Sequence, residues 1–172
     1  MDDGFIAKPL AKRQIDQAYP LVRAVAPGLE VAQWRAFAGA LIGRPGPSVA
    51  PSGIMTAQNG HGYIHGLFSY TRDQHLHHGP ILSVENFIVL DLFDPAAAAA
   101  TLLRAMDAVA KALGCSAIHT NLAGPPVAPP QPGGGMLDRF REEGHAPEAL
   151  RLCKRLARAN DNNALDSAVR AD

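Results

Sequence analysis

The sequence predicts an α+β protein built around one mixed, mostly antiparallel sheet. Three observations lead to this. Val84 to Leu92 is rich in β-branched and aromatic residues, then breaks at Asp94-Pro95 into an amphipathic helix. Two apolar segments flank Asn59-Gly60-His61-Gly62, and Asn-Gly tolerates the positive φ of a tight hairpin. The order of elements is strand, two helices, antiparallel hairpin and strand, helix, strand, helix, strand.

Residues 5–10 read as a short first strand, followed by a helix from Lys12 to Ala26 that Pro20 should kink or divide. A second helix spans Val31 to Ile42, with Val31, Trp34, Phe37, Ala38, Leu41 and Ile42 on one face, and Gly43 ends it. Trp34 belongs to the core on this reading. Residues 43–53 are a loop by composition. Ile54 to Gln58 and Tyr63 to Thr71 form the hairpin, and Arg72 to Pro80 reads as a polar connection to the Val84 strand. Asp94 is an N-cap and Pro95 takes the first helical position, where its missing N–H costs nothing. Leu102, Leu103, Met106, Val109, Ala110 and Leu113 recur at helical spacing until Gly114 closes the helix. The run Ala96 to Ala100 suits a helix packed tightly on a sheet. Cys115 to Leu122 is the next strand. Residues 123–135 (AGPPVAPPQPGGG) cannot be regular structure, because the prolines lack donors. Met136 to Glu143 is a short helix and Ala149 to Leu156 a last strand. One domain over residues 1–157 and a polar tail over 158–172 are expected.

The totals narrow the function classes. Sixteen basic and sixteen acidic side chains cancel, which argues against a nucleic-acid partner or an anionic membrane surface. No apolar run approaches the roughly 20 residues of a membrane helix. The start, MDDGFIAKPLAKRQ, lacks the basic-then-apolar order of a secretory signal, so a cytoplasmic location is expected. Cys115 and Cys153 sit in apolar, strand-like contexts and read as two buried thiols rather than a disulfide.

The segment from Val89 through Leu103 resembles the GNAT superfamily of acyl-CoA-dependent N-acyltransferases. The family pattern V-x-P-x-x-R/Q-G-x-G-x-G/A-x-x-L-L lies on it without a gap, ending on Leu102 and Leu103. Glu85-Asn86-Phe87-Ile88-Val89 looks like the preceding strand, and Gly114-Cys115-Ser116-Ala117-Ile118 like the exit into the next one. Phe140-Arg141-Glu142-Glu143-Gly144-His145 falls where the family has Y-E-K-x-G-F. The resemblance covers residues 5–156 and rests on spacing and apolar frame. It implies a GNAT-like sheet flanked by helices and transfer of an acetyl or other acyl group from acyl-CoA to a small-molecule or peptide amine. A homodimer is compatible with it.

The polar contents differ from the family. Its Arg or Gln is Asp94, and its glycines fall on Pro95, Ala97 and Ala99. In the family that turn brings backbone N–H groups to the CoA pyrophosphate at a helix N-terminus. Here methyl groups crowd the approach, Pro95 removes a donor, and the Asp94 carboxylate stabilises the helix but repels phosphate. The family Tyr, an acid for the departing thiolate, is Phe140. These losses also fit a second reading, a GNAT-fold binding or regulatory protein without CoA.

Within the resemblance, Glu85 stands where a general base would deprotonate the amine, sharing a strand face with Ser83 while Asn86 takes the other. The N–H of Val89 or Leu90 would polarise the thioester carbonyl. Ala96, Ala97 and Ala98 can still offer amides to an anion. His119 and Asn121 lie on the neighbouring strand, where one polar face lines the opening for pantetheine. His145 is a substitute acid for the missing tyrosine. Five of the seven histidines lie between His61 and His78. His65 and His75 would stand roughly 33 Å apart along an extended segment. His75 and His77 could share a strand face, but no third ligand lies near in sequence, so no metal site is expected.

Overall fold

The computed structural model describes residues 4–43, 48–91, 94–122, 135–149 and 151–156. Residues 123–134 of the expected Pro/Gly loop and the expected tail at 158–172 lie outside them.

Five strands form one sheet in the order β1-β2-β3-β4-β5: β1 (Ile6–Pro9), β2 (Ser52–Gln58), β3 (Ile64–His75), β4 (Gly79–Val89) and β5 (Ala117–Thr120). The first four are antiparallel neighbours, whereas β5 runs parallel to β4 after a helical crossover. The helices are α1 (Ile15–Val25), α2 (Val31–Leu41), α3 (Pro95–Ala112) and α4 (Met136–Glu142). No helix among the described residues is long and apolar enough to cross a membrane.

The hydrophobic patterning divides the core between the two sheet faces. On one, Phe68, Leu82 and Val84 meet Leu102, Met106 and Val109 of α3 and Phe140 of α4. Ala98 and Ala99 are fully buried there, as the alanine run predicts. On the other face Ile54, Leu67 and Ile88 meet Leu21 and Val22 of α1 and Trp34 and Ala38 of α2. Trp34 is core, its indole N–H donating to the Ile15 carbonyl at 2.7 Å.

The β2–β3 turn lies where expected, but its positive φ falls on Gly62 and on neither Asn59 nor Gly60. The Asn59 side-chain oxygen accepts from the N–H groups of His61 and Tyr63, and Gly62 takes a positive φ of 82°.

Four expectations need correction. Pro20 does not divide its helix; a 3-10 turn at Lys12–Gln14 leads into an α1 that runs through it. Residues 72–80 are not a connection. Arg72 pairs with Leu82 and Asp73 with Ile81, so β3 and β4 extend to a tight turn at 76–78. Their polarity reflects exposure at the hairpin's end, since a two-strand ladder needs no apolar side chains to satisfy its backbone. No strand forms in Ala149 or in residues 151–156, where Leu152 and Leu156 stand exposed with no ladder to join. Cys153, expected in that strand, is consequently exposed; Cys115 is half-buried, and both are free thiols.

Candidate active site

The register of β3 against β4 changes between Leu67 and Ser69, which pair with Ile88 and Glu85. Asn86 and Phe87 therefore oppose Phe68 alone, a β-bulge, and Asn86 takes a φ of 56°. Asn is among the residues that adopt this left-handed conformation most readily. The bulge corrects the simple alternation expected from sequence. Asn86 does not face away from Glu85; its amide donates to the Ser69 hydroxyl at 3.0 Å, on the side of the sheet that carries Glu85.

Glu85, Asn86, Ser69, Thr71 and Ser83 line an open cavity of 190 Å³, walled by Phe37 and Leu41 of α2. The Glu85 side chain is 41% exposed. Asn121 donates to its Oε1 at 2.8 Å, and Arg151 Nη1 donates to both carboxylate oxygens at 2.8 and 2.9 Å. The Arg151–Glu85 pair raises the arginine's already high pKa, mainly through the hydrogen bond.

Beside this cavity the sheet opens. β5 pairs with β4 only from Ile81 to Val84, and the last rung is the Asn121 N–H on the Val84 carbonyl. From Glu85 to Val89, β4 has no ladder partner on its β5 side among the described residues. The Leu90 N–H donates to the His65 carbonyl at 2.9 Å and faces β3. By strand alternation the Val89 N–H faces the opening. Of the two amides expected to polarise a carbonyl, that of Leu90 is engaged with β3 and that of Val89 faces the opening.

The end of β4 is pinned by a second pair. His65 Nδ1 lies 2.7 Å from Asp91 Oδ2, and Asp91 Oδ1 accepts from the Asp94 N–H at 2.6 Å. Asp94 in turn accepts from the Ala97 N–H at 2.9 Å, while its carbonyl receives the Ala98 N–H at 3.4 Å. Two of the three amides offered by Ala96 to Ala98 are thus occupied by Asp94 itself. The tip of α3 is therefore a poor diphosphate site: two of its three donors are engaged and its charge has the wrong sign.

Phe140 is buried and has no proton to give. His145 packs edge-on against it, ring centres 5.0 Å apart, and its N–H donates to the Phe140 carbonyl. That places His145 with the cluster under α3 and α4, across the sheet from the Glu85 cavity.

The sequence offered no third metal ligand near His75 and His77, but the sheet supplies one. The turn after β3 and the parallel pairing of β5 bring His75, His78 and His119 together, with one ring nitrogen of each within 4.8 Å of the others. Glu148 joins them, its Oε1 2.8 Å from His78 Nε2 and its Oε2 3.7 Å from His119 Nε2. The His78 hydrogen bond holds the Glu148 carboxyl below its usual range. Desolvation, with the neighbouring imidazoles, lowers the pKa of His75. Sequence reading missed Asn86, Ser69 and Arg151 as well; only the asparagine's tolerance of positive φ was a usable signal.

No family model matches this chain, and no curated protein matches it in sequence. Its architecture does match solved structures. An aminoglycoside N-acetyltransferase in complex with CoA superposes with a TM-score of 0.65 over 92% of this chain and 99% of the other, at 14% identity. A GNAT family acetyltransferase from Staphylococcus aureus gives 0.65 over 89% and 99%, at 12% identity. The fold is the GNAT fold. A transcriptional regulator from Bacillus halodurans shares it with a TM-score of 0.68 over 88% and 99%, at 16% identity. Identities this low speak for the GNAT architecture and leave activity to the site itself.

Proposed function

We propose that this chain is an N-acyltransferase that moves an acyl group from an acyl-CoA thioester, acetyl-CoA in the simplest case, to a small-molecule amine seated over β3 and β4. The observation that carries the reading is the Glu85 carboxylate, standing at a strand bulge between an open cavity and the unladdered edge of β4. An amine in the cavity would meet Glu85 as base and Ser69, Ser83 and Asn86 as polar neighbours. Glu85 takes the ammonium proton, the free amine forms the new bond to the acyl carbon, and the carbon–sulfur bond breaks; the departing thiolate takes up the second proton that the nitrogen sheds as the amide forms. The Val89 N–H is oriented to donate to the carbonyl oxygen as charge develops there. Phe140 leaves the thiolate without a tyrosine acid, and His145, on the other side of the sheet, is not a replacement for it.

Arg151 bears on the acceptor. Its guanidinium occupies both oxygens of Glu85, where a substrate ammonium would bind, so a cationic amine must displace it. An aminoglycoside N-acetyltransferase shares this fold, and a polycationic amine is the acceptor class we propose here.

The test is thiol release from acetyl-CoA in the presence of a panel of amino sugars and polyamines. The reading expects acceptor-dependent release that falls at least tenfold in kcat for Glu85→Gln with acetyl-CoA affinity unchanged. Release insensitive to Glu85→Gln would remove the assigned base.

A second reading, a GNAT-fold binding protein without acyl transfer, is favoured by the Asp94 carboxylate on the Ala97 N–H. It predicts no acetyl-CoA binding to the natural sequence.

A further inference from the structure

We propose that His75, His78, His119 and Glu148 form a binding site for a divalent late first-row transition metal, of which Zn²⁺ is the representative. Three imidazoles and a carboxylate match the donor set such ions prefer, and three histidines leave a tetrahedral ion one position for the carboxylate or water. The ligand nitrogens already lie within 4.8 Å of one another. A tetrahedron with roughly 2.0–2.1 Å metal–nitrogen bonds spaces its ligand atoms roughly 3.4 Å apart, so the rings need only draw together by side-chain rotation.

The rings are held for this by the fold. His75 and His78 flank the β3–β4 turn, and the Ser116 hydroxyl donates to the carbonyls of His78 and Pro80, tying that turn to the start of β5. His119 sits on β5 opposite Ser83. The His77 N–H donates to His75 Nδ1 at 3.3 Å, which orients that ring. His119 Nε2 is buried with the Glu148 carboxylate 3.7 Å away, beyond hydrogen-bond reach, and it has no hydrogen bond among the described residues, a state in which buried polar atoms are seldom left. A coordinated ion would satisfy it. Glu148 is placed either to ligate or to hold the second nitrogen of a ligating imidazole, and both roles strengthen a metal site.

An ion here would join three parts of the chain distant in sequence: the β3–β4 turn, β5 and the segment carrying Glu148. That segment continues to Arg151, which meets Glu85 two positions along the same strand from Ser83. The site stands on the histidine geometry alone and does not depend on acyl transfer.

The experiment is calorimetric titration of Zn²⁺ into tag-free, chelator-treated protein, repeated for His78→Gln, His119→Gln, Glu148→Gln and a His61→Ala control. Visible spectra of the Co²⁺-loaded chain accompany it. The proposal expects one ion per chain, intense tetrahedral Co²⁺ absorption, and a higher melting temperature on loading. His78→Gln and His119→Gln each weaken binding at least tenfold, Glu148→Gln weakens it roughly 10–100-fold, and His61→Ala leaves it unchanged. His75→Gln, at the exposed end of the hairpin, replaces either histidine variant that fails to fold when metal-free. Absence of saturable one-to-one binding, or equal affinity in the folded histidine variants, overturns it.

Discussion

Replacing Gly66 with alanine tests how closely α3 sits on the strands that form the site. An added Cβ would stand 2.9 Å from the Ile88 carbonyl oxygen, 2.9 Å from Leu102 Cδ1 and 3.4 Å from Val89 Cγ2. The first neighbour is backbone of the adjoining strand and cannot swing aside. The second is a fully buried leucine that anchors α3. Overpacking of this kind costs about 1–3 kcal/mol, while losing a strand glycine returns roughly 0.5–1 kcal/mol of backbone entropy. Two contacts at 2.9 Å, one of them to backbone, put the cost in the upper part of its range, and the net expectation is a loss of about 1–2 kcal/mol. For a domain of this size each kcal/mol moves the melting midpoint by roughly 2–4 °C, so Gly66→Ala should melt roughly 2–8 °C lower. Gly39→Ala on α2, where a Cβ meets nothing within 4 Å, is the control. It should gain stability, by about 0.5–1 kcal/mol. Circular-dichroism melts of the three proteins read both signs. A Gly66→Ala protein as stable as its parent, beside a stabilised Gly39→Ala, would refute the packing of α3 over β3 and β4.

Three other outcomes follow from the same structure. Asp94→Ala removes the cap on the Ala97 N–H and should destabilise the protein by about 0.5–2 kcal/mol, seen as a lower urea midpoint at unchanged slope. Arg151→Ala frees the Glu85 carboxylate; it should lower KM for a cationic amine several-fold and leave the melting temperature nearly unchanged, as expected of an exposed pair. Arg35 donates to both carboxylate oxygens of Asp16 and holds its pKa below the ordinary 3.8. The stabilisation this gives is present above the unfolded-state pKa and lost as pH falls through the folded one. NMR titration should find the Asp16 pKa higher in Arg35→Ala, and the stability gap between the two proteins closing below about pH 4.

Much of the fold was legible because local chemistry and tertiary structure agree. Asp94-Pro95 starts α3, Asn59 builds its turn, and the apolar stripe from Leu102 to Val109 faces the sheet. The GNAT order of elements could be recognised on that basis. Errors arose where sheet pairing decides. Residues 72–75 look like a loop because their side chains are solvated, yet their backbone is laddered. Residues 151–156 have a strand's composition without a ladder partner among the described residues. Positions beside the cavity were legible when they follow from the strand itself, as for Glu85. Others were hidden when a bulge turned a side chain, as for Asn86, or when a parallel neighbour brought in a distant ligand, as for His119. Arg151 could not be found from sequence at all, since its 66-residue reach to Glu85 is a product of the fold.

Calorimetric titration of acetyl-CoA into the natural sequence, with an Asp94→Gly/Ala97→Gly variant beside it, bears most directly on the acyltransferase reading. The account predicts saturable binding to the natural sequence, weakened by the occupied helix tip, and binding roughly tenfold tighter in the variant as the Ala97 amide is released. No binding to the natural sequence, whether or not the variant recovers it, would contradict the reading and leave a GNAT fold that serves another ligand.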